Sequence, residues 1–187
     1  MEGIILLVIL GGLVLLPLVW AVATFNRFTR LRQHMRESWS DIEVEMQRRY
    51  ELIPNLVETV RGFATHEREV LQEIVQLRNR ASANHGSASS QAVDEQALAI
   101  GLDRLFVVAE AYPELKSSAH FLALQRELSL TEDRIAAARR FYNGNVRESN
   151  QLCETFPSLL IAGLSGFKKA DFFDAAAAAT VNPSVSV

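Results

Sequence analysis

The feature that most constrains this chain is an uncharged, apolar run from Gly3 to Phe25 (GIILLVILGGLVLLPLVWAVATF). At about 1.5 Å of rise per helical residue, such a run forms a helix about 34 Å long. That length crosses a hydrocarbon core of about 30 Å with a little tilt. We therefore expect residues 1–25 to form a transmembrane anchor that tethers the rest of the chain to a bilayer.

A cleaved signal peptide is the alternative for this run, because Ala21-Val22-Ala23 resembles the small-residue cleavage pattern. Signal peptides usually begin with basic residues and have a shorter apolar core. This chain has no Lys or Arg before Arg27, so we favour a retained anchor.

Basic residues follow the apolar run closely, at Arg27, Arg30, Arg32 and Arg36. Loops on the cytoplasmic side of membrane helices carry an excess of Lys and Arg. We expect these arginines to orient the anchor, with the N-terminus outside and the following residues in the cytoplasm.

Composition narrows the range of partners. The formal net charge is −3, whereas nucleic-acid-binding domains usually carry a strong basic excess, so we expect no nucleic-acid partner. Cys153 is the only cysteine, which excludes an internal disulfide and a cysteine-built zinc site.

Residues 26–173 have the pattern of an all-α domain. Apolar residues recur in steps of three and four within 31–46, 54–81, 98–112 and 118–156. Polar connections at 82–91 and 113–118 separate the last three of these segments. We expect the transmembrane helix to be followed by an antiparallel bundle of four long helices and a short C-terminal helical segment. The Ala-rich residues 174–187 are expected to form a flexible tail.

Pro54 leaves one helix boundary open. Proline suits the first turn of a helix, but it can also kink a helix that continues through it. We favour a tight hairpin at residues 51–55 over a kink. If Pro54 only kinked one long helix, the C-terminal end of the bundle would lie far from the membrane.

Familiar catalytic motifs are missing from the sequence. None of the four histidines completes the Glu-x-x-His motif of di-iron bundles, and there is no phosphate-binding loop or nucleophile elbow. We therefore predict a protein that is not an enzyme, with no cofactor, no metal and no evident small-molecule substrate.

Several charged residues lack an opposite charge at helical spacing. The candidates for a structural ion pair between helices are Asp41, Glu67, Arg139 and Arg140. An unpaired buried charge costs several kcal/mol, so we expect Glu67 or Asp41 to pair with these arginines. The alternative is that Arg139 and Arg140 present a site for an anion or a partner. Arg48 and Arg49 are weaker candidates, because Glu45 offers both a local partner.

The segment after Pro157 is too apolar for a free tail. Its candidate lipid-contacting or partner-contacting residues are Leu160, Leu164, Phe167, Lys168 and Lys169. Apolar insertion and attraction of lysine to anionic lipid act together at a membrane surface. Packing against the end of the bundle is an equally open interpretation.

Four sequence blocks resemble the LemA family: RRYELIPNLVETVRGFATHE (48–67), LFVVAEAYPELKSSAHFLALQREL (105–128), RIAAARRFYNGNVRESN (134–150) and FPSLLIAGLSGFKKADFF (156–173). The resemblance covers about residues 25–173 and leaves the Ala-rich tail outside. It implies a bacterial plasma (inner) membrane protein with an N-terminal anchor and a cytoplasmic helical bundle. It implies no established reaction.

We therefore predict a non-enzymatic, membrane-anchored helical scaffold or interaction protein of the cell envelope. Its expected partners are the lipid bilayer, further copies of the same chain as a homo-oligomer, and an unidentified protein. A sensor or signalling adaptor that passes a conformational change to a cytoplasmic partner is the alternative. An enzyme with an unrecognised site is a third possibility.

Overall fold

The structure is a computed structural model that describes residues 1–64 and 66–175. It contains six helices: α1 (Glu2–Arg61), α2 (Arg68–Ala83), α3 (Ala88–Glu110), α4 (Pro113–Lys116), α5 (Ala119–Glu154) and α6 (Ser158–Ser165). Within these described ranges no strand occurs. The all-α prediction is confirmed, with four long helices and α6 as the short C-terminal helical segment. Residues 176–187 of the expected flexible tail lie outside the described residues.

The chain divides into two compact units. The anchor unit consists of Met1–Glu37 and Asn143–Ala170. The bundle unit consists of Ser38–Tyr142 and the described residues from Asp171 onward. Helices α1 and α5 contribute residues to both units.

In the bundle unit, α1 and α5 run antiparallel. Arg48 Nη2 lies 3.3 Å from Glu127 Oε2, and Arg134 Nη1 lies 3.8 Å from Glu45 Oε1. Residue numbers therefore rise along α1 as they fall along α5. All four side chains are partly solvent-exposed, so each pair contributes at most about 1 kcal/mol to stability.

Helices α2 and α3 form a second antiparallel pair in this unit. Arg104 Nη1 lies 3.0 Å from Glu73 Oε1, and Arg80 Nε lies 2.6 Å from Asp94 Oδ1. The two helices approach closely at Gly101, where an added Cβ would lie 2.8 Å from Leu77 Cδ1. A side chain at this position would meet the opposite helix, so the absence of one lets the helices pack together.

The predicted hairpin at residues 51–55 is wrong. Pro54 lies inside α1, which ends at Arg61, and the chain reverses before α2 begins at Arg68. Arg78 of α2 donates a hydrogen bond from Nε to the Tyr50 carbonyl oxygen of α1 at 3.0 Å. This contact shows that α2 runs back alongside α1.

Burial explains why α1 continues through the proline. Ile53, Leu56 and Val57 around Pro54 are at most 3% exposed. Burying three such side chains stabilises the fold by several kcal/mol, which offsets the roughly 3 kcal/mol cost of an internal proline. The reversal between Arg61 and Arg68 replaces the expected one, so the number of helical passes stays at four. The expectation that a helix continuous through Pro54 leaves the C-terminal end far from the apolar run is wrong as well, because Phe167 contacts Phe25 and Phe28 within the anchor unit.

The core of the bundle unit is made of aliphatic side chains from all four long helices. Those larger than alanine that are at most 1% exposed are Ile42, Ile53, Leu56, Val60, Ile74, Leu98, Leu105 and Leu115, and α5 adds Leu128 at 3%. Leu115 is supplied by the short helix α4, which lies between α3 and α5 in the chain.

The anchor unit contains the apolar run at the start of α1, together with the C-terminal part of α5 and the residues that follow it up to Ala170. Arg27 Nη2 lies 2.8 Å from Glu148 Oε1, which links α1 to the C-terminal half of α5. Thr24, Phe28 and Leu31 of α1 are buried in this unit. By contrast, the most apolar stretch of α1 is entirely uncovered, and α1 is the one helix in the described ranges that is long and apolar enough to cross a membrane.

Candidate functional site

A buried charge cluster lies in the bundle unit, centred on Arg49 of α1. The Arg49 side chain is 2% exposed and forms an ion pair with Glu95 of α3, whose side chain is 7% exposed. Its Nη1 donates to Glu132 Oε1 of α5 at 2.5 Å. One guanidinium therefore joins three helices, and arginine suits this role because its donors are arranged as a rigid planar fork.

Two neutral side chains extend the cluster. The Tyr50 hydroxyl donates to Glu95 Oε1. Gln91 Nε2 lies within hydrogen-bond distance of Glu95 Oε1, the Tyr50 oxygen and the Ala81 carbonyl oxygen, at 2.8, 3.2 and 2.9 Å. Burial raises the pKa of Tyr50 to about 12, so its phenol stays protonated at neutral pH and donates to the carboxylate.

This arrangement is suited to fixing helix positions. Glu95 is held by an arginine, a tyrosine and a glutamine, and α1, α2 and α3 each supply at least one group to the network. Buried ion pairs of this kind are weak contributors to net stability, but losing one partner is costly. Loss of a single member would therefore strand a buried charge, which is the costly change for this cluster.

A cavity of about 240 Å³ adjoins the cluster. Arg49, Glu95 and Glu132 line it, together with Arg139 and Phe173. Asp174 is a further lining residue, so two arginines and three carboxylates face the cavity and its formal charge is −1. No set of three metal-binding side chains converges anywhere in residues 1–64 and 66–175.

The residues expected to form the structural ion pair lie elsewhere. Asp41, Arg139 and Arg140 are exposed, and Glu67 is half-buried. Of these four, only Arg139 lines the cavity beside Arg49. None of the ion pairs found within the described ranges involves any of them.

Glu67 lies between two helices, because the helix that the spacing predicts over residues 54–81 is divided where α1 ends at Arg61 and α2 begins at Arg68. Glu67 precedes the first residue of α2, and its side chain makes no capping hydrogen bond. It therefore does not lie on the apolar stripe of a helix.

Arg49 was missed because Glu45 looked like its local partner. Glu45 instead lies near Arg134, and Arg49 turns into the bundle. A signal was present in the spacing, because Ile42, Met46, Arg49 and Ile53 follow steps of four, three and four residues. A charge that continues an apolar stripe is a better candidate for burial than one that merely lacks a local partner.

A second surface lies in the anchor unit, formed by the α6 segment (residues 156–170). The Phe167 ring stacks on Phe28 with centroids 4.6 Å apart and an interplanar angle of 13°. Its edge contact with Phe25 has a centroid distance of 5.6 Å. The Arg32 guanidinium carbon lies 4.4 Å from the Phe167 centroid, a cation–π arrangement.

Asn150 of α5 fixes the end of the α6 segment. Its Nδ2 donates to the Ala170 carbonyl oxygen at 2.9 Å, and its Oδ1 accepts from the Ala170 backbone N–H at 2.8 Å. Lys169 forms an ion pair with Glu154. Lys168 is exposed, and none of the ion pairs of the described residues includes it.

Three large apolar side chains of the α6 segment are exposed. Phe156, Leu160 and Leu164 are 78%, 51% and 87% exposed. Of the five candidate contact residues, the structure thus packs Phe167 on α1, pairs Lys169, and leaves Leu160, Leu164 and Lys168 open. Nearby Cys153 is half-buried, and burial raises the pKa of its thiol.

The amino-acid sequence is similar to those of several known proteins. Magnetosome protein MamQ 2 of Paramagnetospirillum magneticum is 26% identical over 174 residues, which cover 80% of this chain and 64% of that protein. Magnetosome protein MamQ of Magnetospirillum gryphiswaldense is 25% identical over 175 residues, with the same coverage. Protein LemA of Metamycoplasma hominis is 27% identical over 131 residues, which cover 70% of this chain and 60% of that protein. The chain thus spans less than two thirds of the length of these curated relatives.

A model of the LemA family matches residues 38–187. This match extends past Phe173, so it includes the Ala-rich segment that the resemblance in the sequence left outside. The similarity to magnetosome proteins is consistent with a membrane-associated helical protein. The exposed apolar stretch of α1 is consistent with this as well. Since the family match covers most of its length, the chain belongs to the LemA family.

Proposed function

We propose that this protein is a non-enzymatic scaffold or interaction protein, anchored in the bacterial inner membrane by α1. The observation that carries the proposal is the uncovered apolar run at the start of α1. Its side chains are mostly more than half exposed, as for Leu13 and Leu16 at 73% each. Soluble proteins rarely leave so large a continuous apolar surface open, and a bilayer is the environment that covers it.

The proposed orientation places the N-terminus outside and the bundle unit in the cytoplasm. Arg27, Arg30, Arg32 and Arg36 all follow the apolar run, and an excess of arginine and lysine marks the cytoplasmic side of a membrane helix. To test this, a cysteine replaces Glu2 in a Cys153→Ser background and is labelled with a membrane-impermeant thiol reagent in intact spheroplasts. Position 2 of this variant should be labelled. In the unaltered chain, Cys153 should be labelled only after lysis. The reverse pattern would show that the protein is inserted the other way round.

Self-association is the second part of the proposal, and a face of α3 supports it. Val93, Ile100 and Val107 are exposed and recur every seven residues. Apolar residues at this spacing are typical of helices that pack against another helix. A second copy of the chain provides the same face, so one surface serves both partners of a symmetric pair.

Cysteine crosslinking in native membranes tests self-association directly. Ile100→Cys in the Cys153→Ser background should form a disulfide-linked dimer on mild oxidation. Gln76→Cys, an exposed position on α2, is the matched control. If position 100 crosslinks no better than position 76, the α3 face is not a contact between copies.

The unbroken course of α1 favours a second candidate function. One helix contains both the apolar run and the residues that hold the buried charge cluster. A continuous helix can transmit a displacement along its axis, as a sensor or signalling adaptor requires. Limited proteolysis of the bundle unit in membranes of different composition would distinguish this function, because a static scaffold should be cleaved in the same way in all of them.

A further inference from the structure

We propose that α6 is an interfacial membrane helix, whose outward face inserts into the headgroup region of the leaflet beside α1. This inference rests on the proposed function in one respect, namely that Gly3–Phe25 spans the bilayer. It assigns a second lipid-binding site to the chain, made of Phe156, Leu160 and Leu164 with Lys168. Anionic phospholipid is its proposed ligand.

The first argument is the unusual burial pattern of α6. The two buried residues of the helix, Ser158 and Ala162, are small, whereas the leucines at 160 and 164 are exposed. Both pairs are spaced four residues apart, so each pair lies along one face. A helix that caps a bundle in water buries its large apolar side chains and exposes its small or polar ones. The opposite pattern is expected where the outer medium is apolar.

The second argument is the position of the α6 segment along α1. Phe167 contacts Phe25, the last residue of the apolar run, and Phe28, one turn further on. Thr24, which is inside the run, is buried within the anchor unit. The segment therefore lies beside the end of the proposed transmembrane span. Interfacial helices lie at this depth, with their apolar face about 5–10 Å into the boundary between headgroups and acyl chains.

The third argument is the difference between the two lysines. Lys169 is paired with Glu154, so its charge is already balanced. Lys168 is exposed and is absent from the ion pairs of the described residues, which leaves its ammonium group available for a lipid phosphate. Arginines 27 and 32 are likewise engaged, by Glu148 and by the Phe167 ring.

Lipid is favoured over a second protein as the occupant of this face because the face continues a lipid-exposed surface. It adjoins the end of the uncovered run of α1, so any protein that covered it would also have to displace headgroups. Three side chains also make a small contact for a stable protein interface.

The experiment uses the full-length chain in liposomes of phosphatidylcholine and phosphatidylglycerol. In a Cys153→Ser background, single cysteines at positions 164, 33 and 13 carry an environment-sensitive fluorophore. Leu164 tests the α6 face. Gln33 is an exposed α1 residue of the same unit, about 12 Å beyond Phe25 along the helix, and Leu13 lies in the middle of the apolar run.

Quenching by lipids with brominated acyl chains reports contact with the bilayer. We expect strong quenching at position 13 and quenching at position 164 that is at least about twofold greater than at position 33. If position 13 is quenched but position 164 only matches position 33, the interfacial role of α6 is wrong and the anchor stands. If position 13 is not quenched, the anchoring part of the proposed function fails. A blue-shifted but unquenched label at position 164 would show that protein, such as a second copy, covers the face and would overturn the lipid site.

The two lysines provide a matched pair of variants. Lys168→Gln should lower the ratio of inserted to released α6 about fivefold in vesicles rich in phosphatidylglycerol, as expected for one lysine near an anionic surface. Lys169→Gln should leave quenching at position 164 almost unchanged, because that charge is already paired. Equal effects of the two substitutions, or no effect of Lys168→Gln, would overturn the assignment of Lys168 to lipid.

Discussion

Replacing Arg49 with methionine is the most direct test that Arg49 and Glu95 form a buried structural ion pair. Methionine fills a similar volume but removes the positive charge that is paired with Glu95. The Glu95 side chain is 7% exposed, so solvent cannot take over the lost interaction. Stranding one member of a buried ion pair typically costs about 3–5 kcal/mol. We expect Arg49→Met to lower the free energy of unfolding of the bundle unit by that amount.

Arg48→Met is the matched control on the neighbouring residue. The Arg48 and Glu127 side chains are each 47% exposed, so loss of their pair should cost less than about 1 kcal/mol. Urea unfolding of the full-length protein in mild detergent, followed by circular dichroism, measures both changes. If the two variants are equally stable, the Arg49 cluster is not a buried structural pair.

A double substitution separates the ion pair from packing. Arg49→Met combined with Glu95→Gln removes both charges, so it should recover part of the stability that Arg49→Met loses. If the double variant is less stable than the sum of its single variants predicts, the stranded charge is not the origin of the loss.

Three further predictions follow from single positions. Glu67→Ala should change the free energy of unfolding by no more than about 0.5 kcal/mol, because the half-buried Glu67 side chain makes no capping hydrogen bond. A loss above about 2 kcal/mol would instead show that Glu67 belongs to a buried ion pair. Gly101→Val should lower the free energy of unfolding by about 1–3 kcal/mol, because the larger side chain pushes α3 away from α2. Gly101→Ala should be tolerated, because the Leu77 side chain can move away from the added Cβ. Equal losses of stability in the two variants would argue against this close approach of the helices. Burial raises the pKa of Tyr50 to about 12, so the stability it confers is complete below pH 10 and is lost as pH rises towards 12. Tyr50→Phe should flatten that part of the pH–stability curve, and an unchanged curve would show that another group titrates there.

The sequence predicted the elements of this fold better than their boundaries. Helical periodicity and the length of the apolar run were sufficient for the all-α fold and for the candidate membrane helix. The sequence predicts a turn at Pro54 because it shows the local preference of proline, whereas only the tertiary structure reveals the burial of Ile53, Leu56 and Val57. Local rules fail where long-range packing supplies more free energy than they do.

The candidate sites show the same limit. A structural ion pair between helices was expected, but its members could not be chosen, because the partners Glu95 and Glu132 lie 46 and 83 residues from Arg49. For the C-terminal segment, composition indicated a contact surface. The packing of Phe167 against α1 determines which lysine is paired and which leucines face outward. Sequence spacing does not contain that information.

The pair of hydrogen bonds from Asn150 to Ala170 determines which substitutions each position tolerates. The amide of Asn150 satisfies a backbone N–H and a backbone carbonyl at once, so the side chain of residue 170 takes no part. Any residue except proline keeps both groups at position 170. At position 150, aspartate lacks the donor, leucine lacks both groups, and glutamine is one methylene too long. The contact is therefore encoded entirely on α5, and its partner position is free to vary.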